Sequence, residues 1–191
     1  MDFLYKKHPK GTYEHADYKK KADTLVMILL FAMALGLYVI GRVTTGSNRN
    51  ILTIVAVLGL LPACKMVVDV IMSLRVKACE PALKEKIDGT VGSLDGLYNM
   101  YFTSYNRNYL LAHLVIAGNS IIGLSLDKDF DENGFKEHLT DLLLKEGLKD
   151  VLIKVFTDEG KYLGRLGELN ESKPSSPKDA DIHRLIHGVT L

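Results

Sequence analysis

Two apolar runs constrain this chain more than anything else in it. Residues 24–40 read TLVMILLFAMALGLYVI, without a charge, and residues 51–64 read ILTIVAVLGLLPAC and continue as KMVVDVIMSL to Leu74. A helix rises about 1.5 Å per residue and a bilayer core is about 30 Å thick, so a span takes roughly 20 residues. The first run approaches that length between Ala22 and Gly41, and the second reaches it by including Lys65. A short polar loop separates them, which is a hairpin pattern. The competing arrangement is a pair of core helices in a soluble protein. The expectation is therefore two transmembrane helices, 24–41 and 51–74, joined by an external loop, 42–50.

The basic residues orient the hairpin. Lys6, Lys7, Lys10, Lys19, Lys20 and Lys21 precede the first run, and Arg75, Lys77, Lys84 and Lys86 follow the second. The loop between carries only Arg42 and Arg49. Ten against two places both termini in the cytoplasm, in a multi-pass protein of the cell membrane, read as bacterial. A cleaved signal peptide is not expected, because 23 mostly polar residues precede the first run.

Within the second run Lys65 and Asp69 stand four apart, on one helical face, and form a candidate intramembrane polar pair. Either Lys65 snorkels to the interface, or the pair joins protomers of a homo-oligomer through the spans. Pro62 is positioned to kink this helix, and Gly36 and Gly59 permit close helix approach. Cys64 and Cys79 are 15 residues apart, about 22 Å on a continuous helix, too far for a disulfide. Cys79, next to the membrane, is a candidate for palmitoylation.

Charge divides with the hairpin. Residues 1–76 hold ten Lys and Arg against five Asp and Glu, net +5, and residues 77–191 hold fourteen against eighteen, net −4. The basic flank, 1–23, suits anionic headgroups of a lipid bilayer. The acidic remainder makes nucleic acid an unlikely partner, since phosphate backbones call for clustered Lys and Arg.

Past the hairpin the pattern changes to a small α/β domain. A juxtamembrane stalk or helix is expected over 75–96, an α/β domain over 97–170, and a linker and C-terminal tail over 171–191. Residues 97–105, LYNMYFTSY, are compatible with strand or helix, and their Phe, Tyr and Thr content favours a strand ending at Asn106-Arg107-Asn108. Residues 109–117, YLLAHLVIA, read as a central strand covered on both faces. Gly118-Asn119 is a tight turn and 121–126 the returning strand. Residues 132–146 form a helix with the stripe Phe135, Leu139, Leu142 and Leu143, closed by Gly147. A strand over 151–156 and a short helix over 161–169 follow. The expected order is α-β-β-β-α-β with a final helix.

That order resembles the restriction-endonuclease-like core, and residues 109–156 resemble its nuclease-related variant, NERD. In AHLVIAGNSIIGLSLD, residues 112–127, His113, Leu114, Val115, Ile116 and Asn119 are similar to that family's strand pair and turn. The resemblance implies carboxylates that hold a divalent metal and a Lys that activates water, at positions where this chain has Ala112, Ser125 and Asp127. It therefore implies a pseudo-nuclease scaffold rather than an enzyme.

Residues 129–134, DFDENG, match the first half of a calcium loop. The candidate ligands are Asp129, Asp131, Asn133 and Glu137, but Thr140 stands where a bidentate Glu belongs. The alternative is a strand-to-helix connection capped by Asp131 or Asn133. Asp179, Asp181, His183 and His187 form a polar cluster in what reads as a frayed tail, whose chain from Lys178 is compatible with one or two helical turns around Ile182, Leu185 and Ile186, and His113 reads as a core histidine. No cofactor is expected beyond this calcium candidate.

Three readings follow. The first is a membrane-anchored, non-catalytic binding, scaffold or regulatory module with an unknown protein partner. The second is a membrane-tethered metal-dependent hydrolase using residues 127–131. The third is a ligand-sensing effector whose soluble domain gates the spans.

Overall fold

The computed structural model describes residues 8–76, 79–105 and 107–190. Lys6, Lys7 and Lys77 of the basic flanks and Asn106 of the expected turn lie outside the described residues. The chain divides into two compact units. Unit 1 takes Ala16–Arg75, and unit 2 takes His8–His15 together with everything from Val76 onward.

Unit 1 is built from α1, His15–Thr45, and α2, Ile51–Arg75. Their 31 and 25 residues correspond to about 46 and 38 Å of helix. Only 11% and 17% of their most apolar windows are buried, whereas a core helix of a soluble protein is mostly covered. Both helices are thus long and apolar enough to cross a membrane. Where they meet, the side chains are small: Ala34, Ala56 and Ala63 are buried, and Gly59 faces Ala34. Ser73 Oγ donates to Asp23 across the pair at 3.1 Å, and Lys19 binds the same carboxylate at 3.1 Å.

Unit 2 holds a mixed four-stranded sheet between two layers of helix. Its elements are α3 (Pro81–Val91), β1 (Gly96–Phe102), β2 (Tyr109–Ala117), β3 (Ser120–Leu124), α4 (Glu132–Lys145), β4 (Leu152–Phe156), α5 (Glu159–Ser172) and α6 (Asp179–Val189). The strands lie in the order β1-β2-β3-β4, antiparallel except for β3 with β4. Residues 97–105 are thus strand in their first part, and 109–117 is a central strand. The turn at Gly118-Asn119 has both φ angles near +60°, the conformation of a tight hairpin.

One face of the sheet packs on α4 and α6 through Leu111, Leu114, Phe135, Leu139, Ile182 and Ile186. The other packs on α3 and α5 through Ile87, Val115, Ile122, Tyr162 and Leu166. The caps are local. Asp131 accepts from Gly134 N at the start of α4, and Gly147, at φ +75°, closes it while Leu148 N bonds Leu143 O. Asp158 caps α5 through Lys161 N, which starts that helix two residues before the expected 161.

The tail is not frayed. Ile182 and Ile186 of α6 are fully buried, and the Asp179 carboxylate accepts from Gly118 N, Asn119 N and Ser176 N at 2.8–3.0 Å. The amphipathic spacing of Ile182, Leu185 and Ile186 supplies this core face.

Candidate functional site

The acidic loop is closed on itself. Arg107 Nη2 lies 3.2 Å from the Asp127 carboxylate and donates to Asp129 O at 2.8 Å, so a guanidinium braces the start of the loop. Asp129 N donates to Asp127 Oδ1 at 3.0 Å. Asp131 is committed to the α4 cap, and Asn133 and Glu137 sit on the exposed side of that helix. Glu132 faces the sheet edge instead, where Lys136 and Lys154 hold its carboxyl below the usual range. Among the described residues no group of three or more His, Cys, Asp and Glu is placed to share a metal ion.

The three positions implied by the nuclease resemblance are equally spoken for. Ala112 is packed between the sheet and the α3–α5 layer. Ser125 is fully buried, donates to Leu110 O and accepts from Asp127 N. Asp127 is the partner of Arg107.

Polar chemistry concentrates elsewhere, on a seam that begins at Asn99. Asn99 adopts φ +55° inside β1, a left-handed conformation that Asn tolerates better than most side chains. The alternation of faces breaks here in β1, and across Ala112 in the facing part of β2. Tyr98 and its opposite number His113 face α5, whereas Met100 and its opposite number Leu111 face the α4–α6 layer. In a regular strand, residues two apart share a face. The buried Asn99 amide is thereby freed to bond sideways. Its Oδ1 accepts from Cys79 N at 2.7 Å and its Nδ2 donates to Tyr13 O at 3.2 Å. Tyr13 OH closes the ring by donating to Cys79 O at 2.8 Å. Beside it Tyr98 N donates to Gly11 O, so residues 8–15 cover the outer edge of β1.

Behind this ring runs an aromatic ladder. Tyr13 meets Tyr98 edge-on, Tyr98 lies 4.5 Å from His113, and His113 Nδ1 is 2.6 Å from the Tyr162 hydroxyl. Tyr98 OH donates to Asp88, which also pairs with Lys84. These two partners hold the Asp88 carboxyl below its usual range. Burial drives the His113 pKa down to about 4 and pushes both Tyr98 and Tyr162 upward. Burial, reinforced by Glu80 and Asp88, raises the Cys79 thiol to about 11. Cys79 is 1% exposed, so the expected palmitoylation has no accessible sulfur; Cys64 is the exposed one.

The remaining candidates sit apart from this seam. Lys65 Nζ lies 3.9 Å from Asp69, on the outer face of α2. His183 pairs with Asp95 at 3.2 Å and stacks on His187. Burial and the neighbouring His183 and Lys10 lower the pKa of His187. Sequence reasoning missed Asn99, Tyr13 and Asp23. The one available signal was Asp23 at the edge of an apolar run, four residues from Lys19.

Fold and seam together define a class: a small mixed α/β domain joined to two helices long and apolar enough to cross a membrane. No family model, no curated protein and no solved structure matches the chain.

Proposed function

We propose that this chain is a two-span membrane anchor, with both termini cytoplasmic, that holds a non-catalytic scaffold or regulatory domain in a bacterial cell. The observation that carries the reading is the state of the three nuclease positions. Ala112 is core, Ser125 is internally bonded and Asp127 is neutralised by Arg107. The order α3-β1-β2-β3-α4-β4 is the order that the NERD resemblance implies, and it supports a pseudo-nuclease scaffold. Fold alone is no warrant for function, and those three side chains are what support the non-catalytic reading.

One observation favours the effector reading as a second. The ring of Tyr13, Cys79 and Asn99 ties together the segment that enters α1 and the segment that follows α2. A ligand that loosened the ring would release both ends of the hairpin at once.

The test uses full-length protein in lipid nanodiscs, assayed for phosphodiester hydrolysis with Mg²⁺, Mn²⁺ or Ca²⁺. Turnover abolished by Asp129→Ala overturns the non-catalytic reading. No turnover, with cross-linking in cells into a discrete complex that full-length protein forms and a chain lacking 82–191 does not, supports it. Alkaline extraction and protease protection of terminal tags test the two spans and their orientation.

A further inference from the structure

α1 carries a face graded in polarity. Lys20, Thr24, Ile28, Phe31 and Leu35 follow one another at spacings of four, four, three and four, which sets them in one row. At the basic end a groove of about 650 Å³ is lined by Lys20, Lys21 and Thr24 and then by Leu25, Ile28 and Leu29. Ile28 also lines a second groove, of about 530 Å³, whose far wall is Ala56, Val57 and Leu60 of α2. The two therefore run on from each other, charged at one end and apolar beyond. Lys19 is held by Asp23 at 3.1 Å. Lys20 has only a 3.6 Å contact with Asp17, and among the described residues Lys21 makes no ion pair. Two lysines thus line the basic end of an otherwise apolar groove.

The dimensions select the occupant. From Lys21 to Leu35 is 14 residues, about 21 Å of helix. One leaflet with its headgroup layer is about 20–22 Å thick. A free anion would use the lysines and leave the apolar length bare, while an uncharged chain would leave the lysines unpaired. We propose that α1 and α2 form a seat for one anionic phospholipid. Its phosphate lies at Lys20 and Lys21, and an acyl chain lies along Ile28, Phe31 and Leu35. This inference rests on the spanning reading of the two helices.

The test is native mass spectrometry of full-length protein released from nanodiscs of mixed phosphatidylglycerol and phosphatidylcholine. Wild type is expected to retain phosphatidylglycerol above its bulk share. K20Q/K21Q lowers that preference by about fivefold for each lysine removed. Val57→Phe, which fills the apolar wall, lowers total retained lipid while leaving the helical circular dichroism unchanged. Retention at the bulk ratio, or a preference indifferent to K20Q/K21Q, overturns the seat. Displacement of the lipid by inorganic phosphate overturns it in favour of a soluble anion. Release of the protein from vesicles by alkaline carbonate would instead defeat the spanning reading, which keeps the two failures distinct.

Discussion

The Asn99 side-chain carbonyl accepts the backbone N–H of Cys79 at 2.7 Å, from a residue held at φ +55° within a strand. The bond and the left-handed conformation occur together, at the point where the β1–β2 pairing passes from Tyr98 to Met100. Asn99→Gly keeps the backbone conformation and deletes both amide bonds. The buried Cys79 N–H then loses its partner, at a cost of about 1–3 kcal/mol, and the partly buried Tyr13 carbonyl loses one at a smaller cost. The expected result is faster amide exchange at Cys79 and throughout 8–15, with α4 unchanged. Unaltered exchange in 8–15 would show that the ring does not hold that segment.

Gly96 lies under the His113 ring, and a Cβ built there falls 2.4 Å from Nε2. His113 is fully buried and fixed by Tyr162, so it cannot move aside cheaply. Gly96→Ala should destabilise unit 2 by about 1–3 kcal/mol, the usual cost of overpacking. In His113→Ala background the same substitution should cost much less. Equal costs in the two backgrounds, measured by denaturant unfolding, would refute the clash.

His113 also sets a pH dependence. Its folded pKa, about 4, lies below the ordinary 6.5, so the unfolded chain binds the extra proton between those values. Stability from this group is complete above about pH 6.5 and falls as the pH drops toward 4, by about 3 kcal/mol in all. Asp88, lowered from 3.8, acts below that window, Glu132, lowered from 4.5, begins to act at its acid end, and His187, lowered from 6.5, adds to the same slope. Unfolding free energies measured across pH 7 to 4 should slope in wild type, and the slope should shrink in His113→Gln. A slope undiminished in the variant would assign it elsewhere.

Where residues meet their sequence neighbours, the chain is legible. The two apolar helices, the Gly118-Asn119 hairpin, the Asp131 cap and the Gly147 stop all follow from short-range spacing. The seam is not, because it depends on a break in period. Regular alternation puts Tyr98 with Met100, and Leu111 with His113, on common faces; instead the face changes across the left-handed Asn99 in β1 and across Ala112 in β2. The tail is legible in its local spacing, with a linker and then a helical stripe at Ile182, Leu185 and Ile186, but not in its long-range clamp. Residues 173–177 read as a linker, yet Asp179 beyond them caps a turn 60 residues away. The acidic loop reads locally as a ligand set, whereas its tie to Arg107, twenty or more residues upstream, cannot be seen in that spacing.

Asp179 gives the third structural test. Its carboxylate accepts from three backbone N–H groups, two at the β2–β3 turn and one at Ser176. Asp179→Ala leaves those donors to water and unpins the start of α6. The expected loss is about 1–3 kcal/mol, with increased exchange at Ile182 and Ile186. Asp179→Asn retains a carbonyl acceptor and should recover part of the loss. Full stability in the alanine variant would show that the buried face of α6 holds without the clamp.

The two cysteines offer the simplest readout of the ring around Asn99. Cys79 is 1% exposed with its thiol raised to about 11, so little thiolate forms near neutral pH and none is accessible. In Cys64→Ala protein, where Cys79 is the sole thiol, a small maleimide at pH 7 should leave the native chain unmodified and label it fully after denaturation. Asn99→Gly in that background should label at a rate set by opening of the ring, and cyclic loss of the Tyr13 hydroxyl in Tyr13→Phe should do the same to a smaller degree. Rapid labelling of Cys79 in the native parent would place the thiol outside the core and undo the geometry from which the seam is built.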